Sequence, residues 1–220
     1  MKTDFNNLKQ KKILPLREVA LWFALFFWST LSYAFADEGY YYGHDIKVEE
    51  TKLSYDAQGN LRLVNNDDGT ITDLREKLMW KKKDSYQELK QWLNWNDAQK
   101  YIKELNGNSF AGKTDWRLPT RKELATLYDE TKEVPWKYYW TENTVHIDPI
   151  FGNTGCCFWT SEEKKSFAYG YNFIRGQSYM SLKGGIQKSL TVIRPVRTIS
   201  EPLPDPKEIE IRIAEQSGKP

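Results

Sequence analysis

The sequence predicts an α+β domain of short antiparallel strands and two helices. Three observations carry that expectation. β-prone runs bounded by turn residues lie at both ends of the core, and two capped stretches of helical spacing lie in its middle. Nine tryptophans and thirteen tyrosines supply the large side chains that a loop-rich interior needs. Segregation of strands and helices along the chain is the mark of an α+β arrangement.

Taken in order, Leu61-Arg62-Leu63-Val64 alternates as a strand does, Asn65-Asn66-Asp67-Asp68-Gly69 supplies turn chemistry, and Thr70-Ile71-Thr72 resumes the β-prone run. Asp-Gly between two such runs is a strong hairpin signal. Leu78-Met79-Trp80 continues the sheet. Asn94 is placed to cap a helix with an apolar face of Trp95, Ala98, Ile102 and Leu105, which Asn106-Gly107 stops. Thr120 opens a second helix, where Glu123 completes a capping box and Leu124, Leu127 and Tyr128 face inward. An aromatic, turn-rich stretch then runs to Gly155. Strands follow at Phe158-Trp159-Thr160, Phe167 to Ile174, Tyr179 to Leu182 and Leu190 to Val196, so that the first and last strands can pair.

A basic stretch (Lys2, Lys9, Lys11, Lys12, Arg17) precedes an apolar run from Val19 to Ala36, which closes on Ala34-Phe35-Ala36 before Asp37. That order is the pattern of a secretory signal peptide. A retained membrane anchor is the alternative, because the run approaches the ~18–20 residues that span a bilayer. In either case the leading positive charge keeps the amino end cytoplasmic. The remainder is then periplasmic, on the cell surface or secreted. Residues 1–36 carry five basic and two acidic side chains, so without them the formal charge falls from +2 to −1. The basicity belongs to targeting, and Lys81-Lys82-Lys83 and Lys164-Lys165 are too short to build a nucleic-acid face. Such runs are ordinarily solvated surface. The expected organisation is a signal peptide over 1–36, an extension over 37–60, a core domain over 61–198 and a tail over 199–220. Glu201-Pro202-Leu203-Pro204-Asp205-Pro206 opens that tail as an extended exit.

Few residues invite chemistry. Cys156 and Cys157 are the only cysteines, and as neighbours they leave four states open: free thiols, a vicinal disulfide, a bond to another chain, or a metal or redox site. With His44 and His146 as the only histidines, no zinc-ligand spacing appears. Asn65, Asn66, Asp67, Asp68 and Asp73 offer hard oxygens to calcium, but a hairpin turn needs the same residues, and the bidentate glutamate of an EF-hand loop is missing. No other cofactor is expected. Asp115, Arg117, Glu123 and Arg197 form a candidate charged cluster, read as a structural network at a strand-to-helix junction. The binding candidate is Trp136, Lys137, Tyr138, Tyr139 and Trp140: aromatic faces stack on sugar rings and a lysine meets an anionic group, whereas the competing reading is packing beneath a long loop.

Several runs in order carry a family resemblance: Val64 through Asp73, Leu78-Met79-Trp80, Trp95-Asn96-Asp97-Ala98, Asp115 through Leu124, Phe158-Trp159-Thr160-Ser161-Glu162, and Val192-Ile193-Arg194-Pro195-Val196-Arg197. They resemble the Lcl C-terminal domain family, named for the carboxy-terminal module of a Legionella collagen-like adhesin. The resemblance implies a fold similar to C-type lectin-like domains and to formylglycine-generating enzymes, whose related Arg-Leu-Pro-Thr run matches Arg117 to Thr120. The best-known relative is an adhesin that binds sulfated polysaccharides. Many relatives carry cysteines where this chain has Ile102 and Pro195, and a threonine-glycine turn where it has Glu76-Lys77. The copper-binding cysteines of the formylglycine-generating enzymes have no match in spacing here. The expected function is therefore an exported, non-enzymatic recognition or adhesion domain that binds glycans or an envelope protein. The alternatives are an enzyme of formylglycine-generating type and a structural subunit of an envelope assembly, with the Lys207 to Ala214 tail against its partner.

Overall fold

A computed structural model describes residue 48 and residues 51–138, 141–184, 190–216 and 218. The expected signal peptide, and with it the cleavage site after Ala36, lies outside the described residues. The described chain is α+β.

A five-stranded antiparallel sheet comprises β1 (Leu53–Tyr55), β2 (Leu61–Asn65), β3 (Thr70–Asp73), β4 (Leu78–Lys81) and β10 (Val196–Thr198), in the order β1-β2-β3-β4-β10. The sheet thus starts at Leu53, upstream of the boundary expected at Leu61. The β2–β3 turn uses Asp67 at φ 63° and Gly69 at φ 86°, the left-handed geometry that asparagine, aspartate and glycine tolerate best. β10 pairs with β4 rather than with the first strand. The reason lies in residues 192–195, which form a connector instead of most of the expected strand. Val192 exchanges hydrogen bonds with Cys157 and Trp159, the Ile193 carbonyl accepts from Ser85, and the Pro195 carbonyl accepts from Lys81. Only Val196–Thr198 remain to extend the sheet.

Helices form where short-range capping directs them. α1 (Ser85–Leu89) carries a capping box between Asp84 and Gln87; α2 (Trp95–Gly107) is capped by Asn94; and α3 (Arg121–Leu127) has the expected box between Thr120 and Glu123. Near the end of α2, the Asn106 side chain holds Trp116 by both backbone groups, accepting from its N–H at 2.9 Å and donating to its carbonyl at 2.8 Å. A second antiparallel sheet joins β7 (Cys157–Lys164), β8 (Phe167–Asn172) and β9 (Gln177–Leu182). Its Trp159 and Ala168 meet Leu93, Ala98, Tyr101, Ile102, Leu118 and Ile193 in one buried cluster. Ile102, at one of the expected cysteine positions, is thus a core residue. Trp116, Leu118, Leu124 and Trp159 are all buried.

α4 (Pro206–Gln216) lies in the tail read as an extended exit, and its Ile209 and Ile213 pack on Leu53, Leu61 and Val64 of the five-stranded sheet and on Leu74 just beyond β3. Arg194 is fully buried at the junction of the two sheets. It donates to the carbonyls of Lys81 and Lys82 and to Thr154 Oγ1, and its guanidinium lies 4.5 Å from the Phe151 ring centroid. The buried carboxylate of Asp84 lies 3.9 Å from that guanidinium, and also caps α1 and accepts the Gly155 N–H at 2.8 Å. Complete burial pushes the Asp84 carboxyl upward, opposed by Arg194 and those N–H donors.

Candidate functional site

The aromatic stretch expected to be a loop is a two-stranded hairpin, β5 (Val134–Tyr138) paired with β6 (Thr141–Val145). The alternation that builds it runs through Val134, Trp136 and Tyr138 on one face and Pro135 and Lys137 on the other. Proline is tolerated there because a two-stranded ribbon leaves outer edges that donate to nothing. Tyr139 and Trp140 lie between the paired residues Tyr138 and Thr141, outside the described residues.

This geometry corrects the expected site in two respects. Trp136 is only 6% exposed, so its ring is not an open stacking face. Lys137 falls on the opposite face of the ribbon from Trp136 and Tyr138 and is paired with Glu142 at 2.8 Å, so this cation does not lie beside those two rings. That ammonium holds the Glu142 carboxyl below its ordinary value. Tyr138 remains half-buried and stacks on Trp136 with ring centroids 5.9 Å apart and planes 11° from parallel. Behind it, Trp92 meets Tyr138 edge-on at 6.4 Å, and Tyr86 packs against Trp92 at 4.4 Å. Trp92 and Tyr86 belong to this array but were not expected in it. No spacing links them to the hairpin, because the contact is tertiary.

Depressions formed by the described residues lie elsewhere. A polar groove of about 610 Å³ runs between the β2–β3 turn and α4, lined by Lys52, Asn65, Asn66, Asp67, Arg212 and Gln216 among others. Beside it, a cleft of about 350 Å³ reaches Lys113, Arg197 and Glu201. A third, of about 360 Å³, gathers Ser54, Arg62, Arg75, Tyr128, Lys132 and Asp148. Its acids and bases are matched: Asp148 accepts from Ser54 and Lys132, and Arg62 is paired with the buried Asp73.

The oxygens considered for calcium serve the turns. Asn65 Oδ1 accepts the Asp67 N–H, Asp68 accepts from Thr70, Asp73 accepts the N–H groups of Arg75 and Glu76, and Asp67 is paired with Lys52. Among the described residues, no group of three or more His, Cys, Asp or Glu side chains is arranged to hold a metal ion. The sulfurs of Cys156 and Cys157 are joined to each other, at the edge of the Asp84–Arg194 junction. Lys81 is almost fully buried, held by Glu88 and lying 4.5 Å from the Phe110 ring centroid; burial lowers its pKa. Tyr101 donates to the same Glu88 at 2.6 Å, which makes the group a closed polar knot. The expected charged cluster divides into two networks. Arg117 bonds Glu123 through both nitrogens at 2.8 and 2.6 Å, and Arg197 bonds Asp115 at 2.7 Å and approaches Glu201 at 3.6 Å.

No curated protein and no solved structure matches the chain. A family model, that of the Lcl C-terminal domain, matches residues 69–197, which is more than half of the sequence. It begins after β1 and β2, takes in β3 and β4, the aromatic hairpin, the three-stranded sheet and the Arg194 junction, ends within β10 and stops before α4. The chain is a member of the Lcl C-terminal domain family.

Proposed function

We propose that the chain is an exported, non-enzymatic recognition or adhesion domain with a C-type lectin-like arrangement, and that it meets a glycan or an envelope partner through the β5–β6 hairpin. The observation that carries this reading is the Trp136–Tyr138 stack. One ring is sealed and the other half open, so the open ring is already held in place by its neighbours. A pre-positioned aromatic face loses little side-chain freedom when a flat ligand such as a pyranose ring settles on it. Lys137, on the opposite face and tied to Glu142, contributes at most a screened attraction to an anionic ligand.

The test is a glycan array with the exported protein, followed by titration of any retained glycan, and a pull-down from envelope extract. Tyr138→Ala should weaken binding about tenfold, equivalent to ~1.4 kcal/mol, with unfolding unchanged. Tyr138→Phe should bind normally, because the ring face is what it keeps. Normal binding by a folded Tyr138→Ala protein would remove the hairpin from the site and redirect the search to the polar groove beside α4.

A further inference from the structure

Three of the exposed large apolar side chains, Phe167 (42%), Met180 (53%) and Leu182 (55%), gather at one end of the three-stranded sheet. The register explains why. Phe167 faces Leu182 across β8 and β9, Tyr169 faces Met180, and Lys164 of β7 faces Phe167 on the other side, so all of these share one face of the sheet. The β7–β8 turn closes through Lys165 at φ 56°, and the Lys183 N–H donates to the Ser166 carbonyl at 3.0 Å, which draws the end of β9 against that turn. Arg121 lies 4.1 Å from the Tyr169 ring centroid and is paired with Glu162, while Lys183 is paired with Glu163. Those two cations are neutralised. Lys164 and Lys165 are exposed and have no ion-pair partner among the described residues.

We propose that this sheet end is a docking surface for an anionic lipid bilayer, with Phe167, Met180 and Leu182 entering the interface and Lys164 and Lys165 meeting the headgroups. Apolar side chains gain by leaving water only where the partner offers an apolar medium, and a soluble polyanion offers none. A rim of uncompensated lysines beside them matches the negative potential of such a surface. A second copy of the chain is disfavoured by the same rim, because a two-fold contact through this patch would set Lys164 and Lys165 against their own counterparts. Neither side chain is held by the fold, so both are available to the headgroups.

The experiment attaches an environment-sensitive fluorophore to Leu182→Cys in the full chain and, as a control, to Leu89→Cys, which is 41% exposed on a different element. Each is mixed with vesicles of phosphatidylcholine alone or with one third phosphatidylglycerol, and quenched from the lipid by a nitroxide-labelled chain or from water by iodide. Because the lipid quencher reports depth at each position, the readout holds whether or not the apolar run at residues 19–36 is retained. The expected result is lipid quenching at position 182 but not at 89, only with the anionic vesicles. Lys164→Gln with Lys165→Gln should raise the lipid concentration needed by roughly thirtyfold. Phe167→Ser should reduce the depth reached. Equal water accessibility at both positions would overturn the proposal. So would quenching that ignores lipid charge, shielding of position 182 by self-association without lipid, or lysine-dependent binding to a soluble sulfated polysaccharide that leaves position 182 in water.

Discussion

Gly170 and Tyr179 face each other across β8 and β9, and the tyrosine ring lies where a side chain at 170 would begin: an added Cβ would stand 2.3 Å from its Cζ. The ring covers bare backbone and carries its hydroxyl to within 2.7 Å of Thr191 Oγ1. Burial raises the pKa of that hydroxyl well above the usual tyrosine value, so it stays protonated at any physiological pH. Gly170→Ala should therefore destabilise the domain by about 1–3 kcal/mol through overpacking, measured as a shift in the urea midpoint with an unchanged slope. Gly107 is the contrast. It ends α2 without left-handed backbone, and a methyl group added to it would meet no atom within 4 Å, so Gly107→Ala should be neutral or stabilise by up to ~1 kcal/mol. The sequence shows two glycines, and only the packing distinguishes them.

Among the elements, α3 is the one whose start ties capping to electrostatics. Glu123 caps Thr120 and pairs with Arg117; burial pushes its carboxyl up, but the hydrogen bonds from Arg117 and Thr120 outweigh that and hold it below its ordinary 4.5. A carboxylate depressed in the folded state stabilises at neutral pH and loses that contribution as pH falls below the ordinary value and through the folded one. Glu123→Gln should cost about 1 kcal/mol at pH 7, a figure kept small because Arg117 is open to water, and should flatten the acid limb of the stability profile. This helix was legible in the sequence because a cap and its partner are three residues apart. The hairpin β5–β6 was not, although Val134, Trp136 and Tyr138 alternate, because Pro135 and the crowded aromatics read as a loop. β1 is three residues long, too short to stand out in a polar segment. Residues 190–196 have strand-forming composition, yet Ile193 and Pro195 spend their carbonyls on Ser85 and Lys81 of other elements. The candidate site was half legible for the same reason: its aromatic residues are visible in the chain, whereas the burial of Trp136 follows from tertiary packing alone.

For the whole molecule, the question is how far the family core depends on what lies outside it. The match runs from residue 69 to 197, and outside it α4 packs Ile209 and Ile213 on Leu74, within the match, and on Leu61 and Val64 of β2, which precede it. Burial of one such side chain is worth roughly 1.5–3 kcal/mol, so the helix adds a contribution comparable to a fair share of the stability of a small domain. Truncation after Ser200 should leave a folded protein that melts at a lower temperature and binds more of a hydrophobic dye. Loss of cooperative unfolding in that variant would show that α4 is a structural requirement of the core. The Arg194 junction sets the opposite expectation for the interior: with both sheets, the Asp84 cap and Thr154 meeting on one guanidinium, Arg194→Ala should abolish the folded state rather than weaken it, read as loss of near-ultraviolet circular dichroism.

The hold of Asn106 on Trp116 also bears on how the protein ages. Asparagine followed by glycine is the dipeptide most prone to spontaneous deamidation, in which the glycine nitrogen attacks the side-chain carbonyl and the amide nitrogen leaves as ammonia. Here both ends of that amide are engaged by the Trp116 backbone, and the attacking nitrogen belongs to a helical residue. The bond is shielded for as long as the α2 end and the segment around Trp116 remain together. Once it reacts, the carboxylate that replaces the amide can no longer donate to the Trp116 carbonyl, so the chemical damage and the loosening of the core would reinforce each other.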